Sequence, residues 1–207
     1  LTVAYAKAYF DQFVKKSKII VTVGSVTNLT GRQLRYLQEK TNSKPVFVDV
    51  EKIATLDEDT WNTEVNRSVN EALNLIDKHE VLIITTHKPD SKIINLHAKA
   101  KTENTTKDVL AKQIANALAI ITKNVIEQTS YQIQGCFTSG GDITSSLCTS
   151  IEAQGIKLED EVLPLAAYGR LIGGLFPNLS IVTKGGLIGD KRSIYECVKY
   201  IKSKERK

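Results

Sequence analysis

The chain has 207 residues, 42% hydrophobic and 25% charged, the make-up of an ordinary globular protein with material for one substantial core. Its formal charge is +5, but Lys199, Lys202, Lys204, Arg206 and Lys207, set against Glu205, supply nearly all of that excess. No basic stripe interleaved with aromatics occurs, which argues against a nucleic-acid surface. Cys136, Cys148 and Cys197 form no C-x-x-C, and His79, His87 and His97 fall at no metal-ligand spacing. Neither a disulfide framework nor a zinc site is expected; buried free thiols in a reducing cytoplasm are. No apolar run approaches the roughly 20 residues of a bilayer span, and LTVAYAKAYF lacks the basic start and continuous apolar core of a signal peptide. The chain starts at Leu1 and contains no methionine, which predicts a processed chain or a piece of a longer one.

In chain order, Val3, Ala6, Phe10 and Phe13 give residues 1–17 a helical period, a lead-in helix or linker from something upstream of a domain over 18–207. KIIVTV (18–23) reads as a strand, and GSVTNLTGRQL turns from it into a helix beginning near Thr27 or Thr30. KPVFVDV (44–50) is a second strand; Val65, Val69, Leu73 and Ile76 mark a helix over 62–78, and VLIITT (81–86) a third strand. Residues 87–106, polar and lysine-rich, form the longest irregular stretch, a surface insertion or a loop over a site. Leu110, Ile114, Leu118, Ile121 and Val125 trace one face of a long helix, with Thr105 as its N-cap and Asp108 in its first turn. YQIQGCF (131–137) is a strand; Ile143, Leu147 and Ile151 mark the next helix, which Gly155 is placed to end. A strand within 165–174, weakened by its glycines, then LSIVTK (179–184) and a helix over 190–203 complete the chain. Strands alternating with helices predict an α/β domain, Rossmann-like, with a mostly parallel sheet covered by helices on both faces.

Glycines cluster where those strands end. Gly24 and Ser25 follow the first strand, Ser139-Gly140-Gly141-Asp142 the fourth, and Gly185, Gly186 and Gly189 the last. In a parallel sheet these ends share one edge, the edge at which open α/β folds bind ligands. Free N–H groups at helix N-termini suit an anion there, and Ser25, Thr27, Ser139 and Thr144 add hydroxyls. A nucleotide or another phosphorylated ligand is expected. Neither G-x-x-x-x-G-K-[ST] nor a G-x-G-x-x-G after the first strand occurs, which excludes a P-loop and a dinucleotide fingerprint. Asp142 has three open readings: a catalytic base, as G-x-G-D at a helix N-terminus serves in ribokinase-like sugar kinases; a residue that holds Mg²⁺ or orders the loop; or an acidic residue in a first helical turn.

GSVTNLTGRQLRYL (24–37), TSGGDITSSL (138–147), LPLAAYGRLIGG (163–174) and VTKGGLIGD (182–190) together resemble the C-terminal nucleotide-binding half of the four-carbon acid sugar kinases, over residues 18 to 200. That resemblance implies ATP-dependent phosphorylation of a tetronate or 3-oxo-tetronate, with Mg²⁺ as cofactor. It implies nucleotide contacts at Ser25, at Ser139 to Asp142 and at Gly185–Gly186, with Lys184 beside that pair. The sugar-acid site and an Asp-Asp-rich motif belong to the family's N-terminal half. No Asp-Asp-x-Thr-Gly-like stretch occurs here, and Ile143 stands where the family tends to carry a small or hydroxyl residue. The expectation is half of a kinase, cytoplasmic, with ATP or ADP, a four-carbon sugar acid brought by an N-terminal domain, and a second copy of the chain as partners, and neither nucleic acid nor membrane. The rival readings are a self-contained small-molecule kinase with Asp142 as base and a non-enzymatic nucleotide- or phosphate-sensing module.

Overall fold

In the computed structural model, residues 17–24, 27–89, 91, 93–129 and 133–204 are described. The lead-in helix expected over 1–17 falls, Ser17 apart, outside them. Strand β1 (Lys18–Val23) is apolar toward both faces, with Ile19, Ile20, Val21 and Val23 fully buried, as a central parallel strand must be. It pairs in parallel with β3 (Val81–Thr85) on one side and β4 (Ile133–Ser139) on the other. The short β2 (Pro45–Phe47) lies beyond β3, and β7 (Ser180–Lys184) beyond β4. Two further strands, β6 (Ala166–Ile172) and β5 (Gly155–Leu163), extend that side antiparallel, giving the order β2-β3-β1-β4-β7-β6-β5.

Alternation along β1 divides the core in two. Ile20 faces one cluster, formed with helices α3 (Glu58–Ile76), α5 (Lys107–Thr129) and α6 (Gly141–Ser150). Ile19 and Val21 face the other, formed with α1 (Asn28–Thr41) and α7 (Ser193–Lys204). The expected mostly parallel sheet with helices on both faces is therefore the architecture. Short helices α2 (Val50–Ile53) and α4 (Leu96–Thr102) fill connections. By length and composition α5 could cross a bilayer, contrary to what the apolar runs suggested, yet half of its most apolar stretch is buried within the domain.

Four local readings are corrected. The long helix α5 is capped by Thr106, not Thr105: Val109 N–H donates to Thr106 Oγ1 at 3.3 Å. The stretch 87–106 is irregular only in part, because Asn95 Oδ1 accepts from Ala98 N–H at 3.1 Å and starts α4. Helix α6 ends at Ser150, and Gly155 opens β5 instead of closing the helix. That strand was not anticipated, because its Glu159, Asp160 and Glu161 are exposed at the sheet's edge, where charge deters edge-to-edge pairing. The glycine that weakened the β6 reading has its reason in the same arm: a Cβ on Gly169 would lie 2.4 Å from the Lys157 carbonyl oxygen of β5.

Candidate functional site

The last residues of the strands stand level. Val23 of β1 is paired with Ser139 of β4, and Ser139 with Lys184 of β7, so the loops that follow leave the sheet side by side. Gly140 N–H donates to the Lys184 carbonyl at 3.0 Å and ties two of these loops together. The β1 loop closes in from the other side: a Cβ on Gly24 would sit 2.7 Å from Ile143 Cδ1 and 2.9 Å from Leu118 Cδ1. The convergence expected from the glycines is thus present, with Gly24 placed by packing; Ser25 lies outside the described residues.

Helix α6 begins at the centre of this edge. Its N-cap is Gly140, at φ 105° and ψ 135°, a conformation that favours glycine and that brings no side chain to cover the first-turn N–H groups. A Cβ on Gly140, Gly141 or Gly186 would meet nothing within 4 Å among the described residues, which leave the space before the helix open. Asp142 lies exposed in the first turn. Ser139 is 2% exposed and its Oγ has no hydrogen-bond partner among the described residues, at a cost of about 1–3 kcal/mol for such a group. Unsatisfied polar atoms of this kind call for a structural or functional reason.

Other candidates hold the loops. Thr144 Oγ1 donates to the Gly140 carbonyl at 3.0 Å and lies 2.8 Å from Thr138 Oγ1. Thr27 caps α1, its Oγ1 accepting from Thr30 N–H at 3.2 Å. Gly189, at φ 86°, lies where a Cβ would be 2.1 Å from Ser193 Oγ, so it serves the turn into α7. Lys184 is 3% exposed; its Nζ donates to the carbonyls of Gly185 at 2.6 Å and Ile188 at 3.0 Å. Burial lowers its pKa from the ordinary lysine value. Sequence reasoning missed its partner in this task, Gln33 of α1, whose Nε2 donates to Ile188 O at 3.0 Å and Asp190 O at 2.8 Å. The available signal was a glutamine among Thr30, Leu34 and Leu37 on the buried face of α1.

Beside the open helix start runs a groove of about 1160 Å³, lined by Gly141, Thr144, Lys184, Gly185 and Gly186 on one side and by β5 and β6 on the other. Leu158, Leu165 and Leu187, all on its wall, are 64–70% exposed. Backbone donors at one end and apolar side chains along the other suit a ligand with a phosphate end and a flat apolar body. Among the described residues no group of three or more His, Cys, Asp or Glu gathers as a metal cluster.

The fold and this edge define an α/β nucleotide-binding type of domain. Residues 20–194 match the family model described as "Nucleotide-binding C-terminal domain". The chain is 36% identical over 189 residues to a D-erythronate kinase of Heliobacterium modesticaldum, an alignment covering 90% of this chain and 42% of that protein. It is 24% identical over 192 residues to a D-threonate kinase of Salmonella typhimurium, covering 93% and 44%. Among solved structures, a domain of unknown function from Bordetella bronchiseptica, crystallised with bound citrate as a domain-swapped dimer, superposes with a TM-score of 0.68 at 18% identity, covering 96% of this chain and 44% of that one. A Haemophilus influenzae protein does so with a TM-score of 0.65 at 17% identity, covering 91% and 41%. The chain belongs to the four-carbon acid sugar kinase family, as its C-terminal nucleotide-binding domain. It spans less than half the length of these relatives.

Proposed function

We propose that this chain is the ATP-holding part of a kinase that phosphorylates a four-carbon sugar acid, the acid being presented by a domain outside this sequence. The observation that carries the reading is the level meeting of the β1, β4 and β7 loops at the open N-terminus of α6, beside a groove with apolar walls. Names of the relatives support the reaction class.

In this reading the first-turn N–H groups of α6 and the backbone of Gly185–Gly186 cradle the phosphates, while Leu158, Leu165 and Leu187 flank the base. Lys184 does not need to touch the nucleotide; it fixes the loop whose backbone does. Phosphoryl transfer depends chiefly on positioning and charge neutralisation, so a rigid cradle on this domain and an acceptor on another is a workable division. Asp142, the carboxylate at the mouth of the cradle, is the residue that would hold Mg²⁺, a cation commonly bound through one or two carboxylates plus substrate phosphates. When bound, that ion supplies neutralisation of charge on the phosphate oxygens.

Calorimetric titration with ATP tests the assignment. Wild type is expected to bind, and Gly141→Val to bind at least about tenfold more weakly, because its side chain enters the open space before α6. Equal affinities would remove the cradle from this edge. Turnover of D-erythronate by the chain alone, lost in Asp142→Asn with ATP affinity kept, would favour the self-contained kinase and assign Asp142 as base.

A further inference from the structure

The same sheet edge carries a second cavity that the nucleotide reading does not use. Thr85, the last residue of β3, is paired with Val23 of β1 on the side opposite Ser139. Past it, Thr86 to Pro89 face the start of α1 across a pocket of about 460 Å³ whose walls include Asn28, Gly31, Arg32, Arg35, His87 and Lys88.

Its charge is one-sided. Arg32, Arg35 and Lys88 all line it, and no acidic residue does among the described residues. Among the described residues none of these cations has an ion-pair partner either. Elsewhere in the chain, cations near carboxylates pair with them: Arg67 with Glu64 and Glu71, Lys99 with Glu51 and Glu103, Lys202 with Glu80. Asn28, Arg32 and Arg35 recur at helical spacing on one face of α1, and two like charges three residues apart repel. Among the described residues, positive charge without a carboxylate partner thus converges on one cavity.

The cavity is also shaped. His87 leans over α1 at Gly31, where a Cβ would lie 2.4 Å from its Nε2. Glycine inside a helix costs about 1 kcal/mol relative to alanine, and here it leaves room for the imidazole. His87 N–H is in turn bonded to Thr85 Oγ1 at 3.0 Å, which fixes the start of the loop on its strand. Burial, and after it the Arg35 charge, hold the His87 pKa below its usual value, so at neutral pH the ring is a neutral partner between the cations.

We propose that this pocket is a second oxyanion site, built by Arg32, Arg35, His87 and Lys88, that takes the carboxylate or phosphate end of the small hydroxy acid presented by the other domain while the glycine loops hold the nucleotide. Two strand spacings, roughly 10 Å, separate the end of β3 from the end of β4, after which α6 begins. The identity of the acid rests on the kinase reading; the oxyanion site itself does not.

The test is an NMR titration of the His87 imidazole in the 207-residue chain, with D-erythronate in one arm and inorganic phosphate in the other, beside an ATP titration. An oxyanion in the pocket is expected to raise the His87 pKa. Arg32→Gln/Arg35→Gln is expected to weaken that binding about tenfold or more, the value of a charge-assisted hydrogen bond, and to leave ATP affinity unchanged. Both arginines are exposed, so the double variant should fold, which its thermal melt checks. A response to erythronate assigns the carboxylate as the recognised group, and a response to phosphate alone assigns the phosphate end. No His87 response in either arm, or a response the double variant keeps, overturns the site. Failure of ATP to bind while erythronate still moves His87 would overturn the kinase reading and leave the site standing.

Discussion

The two sides of β1 solve the same problem with different materials. Toward β4 and β7 an anion would meet backbone N–H groups, set by glycines and braced from beneath by buried Lys184 and Gln33. Toward β3 it would meet exposed arginine side chains on a helix face and a lysine from the loop after β3. A backbone cradle is rigid and depends on conformation that few residues tolerate. A side-chain cluster is adaptable, sensitive to salt and indifferent to backbone strain. Substitutions on the two sides should therefore fail in different ways.

The largest effect is expected at Gly140. Valine there must adopt φ 105°, a region nearly reserved for glycine, at about 1–3 kcal/mol. Gly140→Val should lower stability in urea by that amount and abolish ATP binding together. If it bound ATP with unchanged affinity, the loop would not be the cradle.

Next comes the brace. Lys184→Met keeps an unbranched stem but removes both bonds to the loop carbonyls, each worth about 1.5–3 kcal/mol from a charged donor. It also removes a buried ammonium whose burial is unfavourable. These offset one another in stability but not in loop order, so the melt should move little while ATP affinity falls about tenfold. A direct nucleotide contact predicts a loss that Lys184→Arg partly restores; the brace predicts that arginine, too large for the buried position, does not.

A smaller effect follows from the same lysine's titration. Its folded pKa lies below the unfolded value of 10.5, so between the two the unfolded chain binds more protons. Stability from this group is therefore lowest below the folded pKa and rises as pH climbs through that window toward 10.5. Urea unfolding across alkaline pH should show this upward contribution in wild type and lose it in Lys184→Met.

What the sequence disclosed about these two sides follows the same divide. Gly140, Gly141, Gly185 and Gly186 were legible because backbone conformation is a local property and strand ends in a parallel sheet share an edge. The seat of Lys184 was not, since its direction depends on the Ile188 carbonyl of the returning loop and on Gln33, 151 residues earlier in the chain. The basic pocket was hidden for a related reason. Arg32 and Arg35 lie far from His87 and Lys88 in sequence, and only the pairing of β1 with β3 brings them together. Strand β5 carries no clear signature because an edge strand hides its period under charge, and Gly155 at its start reads equally as a helix end.

The smallest expected effect separates the arginine pocket from ordinary architecture. If Arg32 and Arg35 are kept for a ligand, they contribute nothing to the fold and repel each other across one helical turn by about 0.2–0.5 kcal/mol. Arg35→Gln should then raise stability by that amount at low ionic strength, and added salt should erase the difference as it screens the pair. A loss of about 1 kcal/mol that persists in salt would mean that the guanidinium packs on α1 as structure. The pocket would then be a by-product of the surface, not a place where charge is held ready.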